Sequence, residues 1–150
     1  MFASQWRVGK NPIALAIRRA VFVQELGLPE DAVFDYSDDY AAQLVVELDG
    51  VPVATARLSP EGADVRLSFI AVLPAYRGQG FGDLCVRQAL YKAQGMHASH
   101  VFADVPERHA AYYAAFGFRE TGVSEAGVTQ MTVETDHILW HPPCKENITQ

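Results

Sequence analysis

The chain has 150 residues, of which 49% are hydrophobic and 20% charged, a balance typical of one globular domain spanning residues 1–150. The formal net charge of −6 disfavours nucleic acid and anionic membranes as partners. There is no apolar run of ~18 residues and no N-terminal signal sequence, so we expect a cytoplasmic protein with no membrane partner.

The first predicted helix begins at Asn11-Pro12, where an N-cap residue precedes a proline at the first helical position. Apolar residues then recur at helical spacing, which predicts a helix as far as about Gln24. Gly27, Pro29 and the acidic residues 30–39 interrupt this pattern. They predict a loop or a short second helix.

Three strands are predicted next, over residues 43–48, 51–58 and 65–72. Asp49-Gly50 separates the first two and is the strongest short signal for a β-hairpin. A second turn is predicted at residues 59–62 because serine, proline and glycine favour turns.

The second half of the chain predicts further elements in alternation. These are a helix over 81–94 closed by Gly95, a strand over 100–103, a helix over 107–115, and an antiparallel pair of strands over 118–122 and 129–135. The resulting order, βαβββαβαββ, indicates a mixed α/β fold, not a doubly wound one.

A glycine-rich segment, Arg77-Gly78-Gln79-Gly80-Phe81-Gly82, leads directly into the helix predicted over 81–94. The first turn of a helix has unpaired N–H groups and a positive dipole end, and glycine lets an anion approach the backbone. Arg77 would add a charge-assisted contact, so we predict a pyrophosphate site here. No Walker lysine follows, and the hairpin before the loop argues against a dinucleotide-binding βαβ unit. An unliganded turn is the remaining alternative.

Cysteine and histidine positions do not predict a metal site. Cys85 and Cys144 lie far apart in unlike contexts and are expected to be reduced thiols. The five histidines lack the close pairing of metal ligands, and His137 and His141 belong to what reads as a surface tail.

Residues 70–82 resemble motif A of the GNAT N-acetyltransferase superfamily, in which Arg/Gln-x-x-Gly-x-Gly/Ala follows a strand end of the form V-x-P-x-x-R. Residues 112–118, Tyr-Tyr-Ala-Ala-Phe-Gly-Phe, are similar to motif B of that superfamily. Further upstream, residues 17–29 and 51–58 resemble the ElaA-like branch. Thr129-Gln130-Met131 departs from this branch because it lacks a histidine that such chains often carry.

The resemblance implies a central twisted sheet of about six to seven strands, mixed parallel and antiparallel, flanked by about four helices. It also implies transfer of the acetyl group of acetyl-CoA to a primary amine of a small molecule, by direct attack in a ternary complex and without a metal. The strand before motif A is expected to part from its parallel neighbour and bind the pantetheine arm through its backbone. The implied cofactor contacts are Ile70, Ala71, Val72, Arg77, Gly78, Gln79, Gly80, Phe81, Gly82 and Tyr113.

Two residues are catalytic candidates. Tyr113 matches the motif B tyrosine that reaches the CoA sulfur, and a phenol can protonate a departing thiolate; packing is the alternative, which we favour for Tyr112. Glu25 could accept the amine proton, directly or through water, or could order the acceptor-side loop. His109 is more typical of an exposed, inert histidine.

Several alternatives stay open at this point. Asp35, Tyr36, Asp38 and Asp39 could form an acidic mouth for a cationic acceptor, although a solvated loop explains them as well. The acceptor could instead be a protein lysine or N-terminal amine. The chain could also be an acyl-CoA-binding sensor without turnover, or an adenine-nucleotide-binding domain. A homodimer is compatible with the sequence.

Overall fold

The computed structural model describes residues 1–142, so Cys144 lies outside the described part of the chain. Seven strands form one sheet in the spatial order β1-β2-β3-β4-β5-β7-β6. The strands are β1 (Phe2–Val8), β2 (Ala42–Leu48), β3 (Val51–Glu61), β4 (Asp64–Val72), β5 (His100–Pro106), β6 (Arg119–Glu125) and β7 (Val128–Glu134).

The helices lie on both faces of this sheet. They are α1 (Pro12–Arg18), α2 (Glu30–Val33), α3 (Phe81–Gly95) and α4 (Ala110–Ala114), with a π-helix (Arg19–Glu25) that continues α1. Short 3-10 turns occur at Tyr36–Asp39, Pro74–Tyr76, Glu107–His109 and Thr135–His137. The predicted mixed α/β fold, with about seven strands and four helices, is therefore confirmed. Among the described residues, no helix combines the length and apolarity that a bilayer crossing requires.

The first helix begins where the sequence predicts it. The Asn11 side chain accepts hydrogen bonds from the backbone N–H groups of Ile13 and Ala14, at 3.1 and 3.4 Å, and Pro12 occupies the first turn. The helix continues to Glu25 with a wider, π-helical turn. An apolar stripe at helical spacing does not distinguish this turn from an α-helical one.

The two hairpins show where local turn chemistry succeeds and where it fails. Asp49 and Gly50 both have positive φ, 51° and 82°, as the predicted tight turn requires. The turn predicted over 59–62 is displaced towards the C-terminus: β3 runs on to Glu61, Pro60 pairs with Val65, and the turn lies at Gly62 and Ala63. The pairing of β3 with β2 stops at Leu58, so the missing N–H of Pro60 costs no ladder bond.

In the second half, the elements match in type and differ in extent. β5 continues to Pro106, and the predicted helix over 107–115 is a 3-10 turn followed by α4. β6 and β7 form the predicted antiparallel pair.

Two apolar clusters hold the helices to the sheet. The larger lies between the sheet and α3 and α4, and it contains Cys85, a free thiol whose pKa is raised by burial to about 12. The smaller lies under α1 and the π-helix, where Ile17, Val21 and Phe22 pack near Ala71 of β4. Both clusters therefore meet at the end of β4.

Candidate active site

β4 and β5 run parallel and then part. Their register pairs Val65–Leu67 with Val101–Ala103 and ends there, although β4 continues to Val72 beside β3. Within β4, Phe69 has a φ of 53°, and Ala56 of β3 faces both Phe69 and Ile70, which is the signature of a β-bulge. This parting is the gap that the sequence resemblance led us to expect beside residues 70–72.

The glycine-rich loop lies between the end of β4 and the start of α3. Gly78 and Gly80 have φ values of 78° and 89°, a left-handed backbone that glycine adopts without strain. Gly80 is the N-cap of α3, and no side chain among residues 1–142 caps this helix end. A Cβ atom on Gly78 would meet no atom within 4 Å. The uncapped N–H groups of the first turn and the open space beside Gly78 fit a diphosphate.

Asp83 lies in the first turn of α3. Its negative charge would repel an anion bound at this helix end unless other groups compensated it. The Arg87 Nε atom is 2.8 Å from this carboxylate, and the Tyr112 hydroxyl donates a hydrogen bond to it at 2.5 Å. Burial raises the pKa of Tyr112, and Asp83 raises it further. Arg87 thus balances the charge of Asp83, and the hydrogen bond from Tyr112 to Asp83 connects α4 to α3. The sequence-based interpretation of Tyr112 as packing alone missed this hydrogen bond.

Tyr113 is fully buried in the larger core cluster, with its ring edge-on to Phe118 at a centroid distance of 5.3 Å. Burial raises the pKa of this phenol, and the neighbouring Cys85 adds to the shift. Tyr113 is protonated at neutral pH, as an ordinary phenol with a pKa of about 10 also is, and the raised pKa makes it a weaker acid.

Glu25 and Arg77 form an ion pair. Two guanidinium nitrogens of Arg77, Nη1 and Nη2, each donate to one Glu25 carboxylate oxygen at 2.6 Å. The Nε atom of Arg77 donates to the Val72 carbonyl at 2.9 Å. The hydrogen bond from Arg77 lowers the pKa of Glu25 and keeps it ionised. Both oxygens are engaged, so a role as proton acceptor requires this pair to open.

A buried charged network, which sequence reasoning missed, lies on the α1 side of β4. Arg18 and Arg57 share the carboxylate of Asp38, with contacts of 2.9 and 3.3 Å, and Gln43 binds both Arg18 and Asp38. The guanidinium carbons of both arginines lie within 5 Å of the centre of the Phe69 ring, at 4.7 and 4.8 Å. The network therefore supports the bulge residue of β4.

This network includes part of the acidic loop. Asp35 and Asp38 bind Arg57, and Asp39 lies 3.5 Å from the Lys10 ammonium. Asp35 and Asp38 therefore balance Arg57, whereas Asp39 is largely exposed. One cleft of about 420 Å³ is lined by Lys10, Leu15, Phe34, Asp35, Tyr36, Asp38 and Asp39, so the acidic mouth for an acceptor stays a prediction. Tyr36 is exposed.

His109 is buried at the start of α4, which corrects the expectation of an exposed side chain. A separate cleft of about 310 Å³ lies among β5, β6 and β7. It is lined by Asp104, Val123, Glu125, Ala126, Val128 and Gln130. Asp104 is the first β5 residue after the paired register, and its carboxylate lies 3.3 Å from Arg66 of β4.

Comparison with known proteins identifies relatives of this chain in sequence and in fold. Residues 14–118 match the model of the acetyltransferase (GNAT) family. A Bacillus subtilis protein named for an expected acetyltransferase activity is 32% identical over 111 residues, covering 71% of this chain and 74% of its own.

Two solved structures have similar folds. A Lactobacillus plantarum protein named for an expected N-acetyltransferase activity aligns with a TM-score of 0.76 and 28% identity, over 89% of this chain and 99% of its own. Escherichia coli ElaA aligns with a TM-score of 0.77 and 21% identity, over 89% of this chain and 100% of its own. The likeness to ElaA concerns the fold.

Proposed function

Because this chain belongs to the acetyltransferase (GNAT) family and is an acyltransferase that uses a CoA-linked donor, we propose that it acetylates a primary amine of a small molecule. The donor is acetyl-CoA, and the acceptor attacks it directly in a ternary complex. The observation that carries this proposal is the gap between β4 and β5 next to the uncapped N-terminus of α3.

The donor site is built mainly from backbone. The main chain from Arg77 to Gly82 holds the diphosphate, with the N–H groups of the α3 first turn directed at it. The edge of β4 at Ile70, Ala71 and Val72, which β5 does not pair, hydrogen-bonds the pantetheine arm, and this pairing satisfies backbone groups that β5 leaves open. Without the arm, all three residues are buried. N–H groups of the same strand polarise the thioester carbonyl as negative charge develops on its oxygen.

The reaction needs one proton donor and one proton acceptor. The neutral amine attacks the carbonyl carbon, the carbon–sulfur bond breaks, and the thiolate takes the phenolic proton of Tyr113. The resulting phenoxide regains a proton from water before the next turnover. The ammonium proton leaves to water or to Glu25; the second route requires Arg77 to release the carboxylate. Water-mediated deprotonation needs no such change.

Replacing Tyr113 by phenylalanine should lower kcat by about 100-fold, since general acid catalysis contributes roughly 10²–10⁴. The affinity for acetyl-CoA should stay within about twofold, because the ring and its packing are retained. Release of free CoA in the presence of an amine panel measures the rate, and calorimetry measures the affinity.

Tyr112→Phe is the matched control for this experiment. It removes a neighbouring hydroxyl that binds Asp83, so it should lower stability and leave kcat within about threefold. An unchanged kcat in Tyr113→Phe would remove the proposed acid. A wild-type protein that binds acetyl-CoA without releasing CoA with any amine would instead support a sensor.

We assign a small cationic acceptor to the cleft beside Asp104, which Glu125 and two valines also line and in which Arg66 already pairs with Asp104. Asp104→Asn should raise the KM for a cationic amine about tenfold, equivalent to roughly 1.4 kcal/mol, with kcat nearly unchanged. Asp64→Asn, at the opposite end of the β4–β5 pair beside His100, should leave the KM unchanged. If Asp104→Asn and Asp64→Asn had the same KM for the amine, this acceptor site would be contradicted.

A further inference from the structure

The Arg77 side chain joins three segments of the chain. Its Nε–H binds the carbonyl of Val72, the last residue of β4, and its two terminal nitrogens bind both oxygens of Glu25, the last residue of the π-helix. Its own backbone begins the glycine-rich loop. A bidentate guanidinium–carboxylate contact fixes direction as well as distance. The side chain thus fixes the loop against both the strand end and the helix end.

The π-helix that ends at Glu25 makes charged side-chain contacts at its end and just before its start. Its π-helical turns have wider hydrogen bonds; the Leu26 N–H, for example, binds the Val21 carbonyl five residues back. π-helical turns are rare and are frequent at functional sites. At the other end of this segment, Arg18 is fixed by Asp38 and Gln43. The segment is therefore held at both ends by charged groups.

The middle of this segment faces the strand that carries the donor site. Val21 and Phe22 pack in the same apolar cluster as Ala71, and the Phe22 ring lies edge-on to Phe69 at a centroid distance of 5.5 Å. A shift of the π-helix would therefore move side chains against the bulged part of β4. The Arg77 side chain connects the end of this helix, Glu25, to the donor loop.

We propose that Arg77 and Glu25 are positioning residues that act as one unit, a strut that fixes the π-helix relative to the donor loop. The proposal rests on the proposed function in one respect: the loop must hold the acyl donor. If the strut exists, the affinity for the donor and the KM for the acceptor both depend on the Arg77–Glu25 contact. If instead Arg77 binds the diphosphate and Glu25 acts as the base, the affinity and the KM change independently.

A double-mutant cycle separates these possibilities. Glu25→Gln and Arg77→Gln should each weaken acetyl-CoA binding and raise the acceptor KM, by about tenfold. The double variant should bind acetyl-CoA no more weakly, and have no higher acceptor KM, than the more impaired of the two single variants. Additive losses in the double variant would overturn the strut.

A second measurement needs no ligand and no activity. Native-state hydrogen exchange of the Leu26, Gly27 and Leu28 amides, which close the π-helix, should accelerate at least about fivefold in Glu25→Gln and in Arg77→Gln. Glu30→Gln is the matched control, since Glu30 pairs with Arg19 at the far end of the same helix. Unchanged exchange in both strut variants would overturn the proposal. If the wild type failed to bind acetyl-CoA, the proposed function would fall, and hydrogen exchange would still decide the strut.

Discussion

Replacing Gly80 by glutamate should abolish acetyl-CoA binding, with at least a 100-fold loss of affinity, equivalent to roughly 2.7 kcal/mol. Gly80 is the N-cap of α3 and has a left-handed φ of 89°, at the helix end where we propose that the diphosphate binds. Glutamate would add bulk and a negative charge where the helix end favours an anion. Calorimetric titration with acetyl-CoA measures the loss.

Two control variants separate strain from repulsion. Gly62→Glu introduces the same residue at a φ of 63° in the β3–β4 turn, where a Cβ meets no atom within 4 Å, and it should bind acetyl-CoA normally. Gly80→Ala carries the backbone strain and a methyl group without charge, so its affinity should fall between those of wild type and Gly80→Glu. Wild-type affinity in Gly80→Glu would remove the loop from the donor site.

The parts of the fold that the sequence predicts well are those set by neighbouring residues. Asn11-Pro12 and Asp49-Gly50 specify a helix start and a hairpin turn through their own backbone preferences, and the structure has both. The turn predicted over 59–62 lies at Gly62 and Ala63 instead, because β2 stops pairing at Leu58 and leaves room for Pro60 in a strand. Tertiary context decided that case.

The candidate site divides in the same way. The glycine pattern of residues 77–82 predicts a helix start whose unpaired N–H groups an anion can approach. The structure has an uncapped helix start there, and Gly78 and Gly80 adopt a left-handed backbone. The Arg77–Glu25 pair could not be predicted, because its partners are 52 residues apart and meet only through the fold. Arg57 did carry a signal, since a charge within an apolar strand requires a counter-charge. The sequence does not identify which acidic residue supplies it.

Replacing Asp38 by asparagine should destabilise the fold by about 3–5 kcal/mol, because removal of one partner leaves buried charge uncompensated. Arg18 is 1% exposed and Arg57 5% exposed, and both contact this carboxylate. Asp39→Asn is the matched control: its carboxylate is 63% exposed, lies 3.5 Å from Lys10, and should contribute no more than about 1 kcal/mol. Urea unfolding at about pH 7 measures both variants.

The dependence on pH provides a second test of the same carboxylate. Burial alone would raise the pKa of Asp38, but Arg18, the Gln43 hydrogen bond and Arg57 outweigh burial and hold the pKa below its ordinary value. A carboxyl group with a lowered pKa stabilises the folded state above its unfolded pKa of about 4, and this contribution is lost as the pH falls through the folded value. The stability difference between wild type and Asp38→Asn should therefore narrow on acidification, since protonated Asp38 resembles asparagine. A difference that stayed constant from about pH 7 to about pH 3 would mean that Asp38 does not carry the charge balancing Arg18.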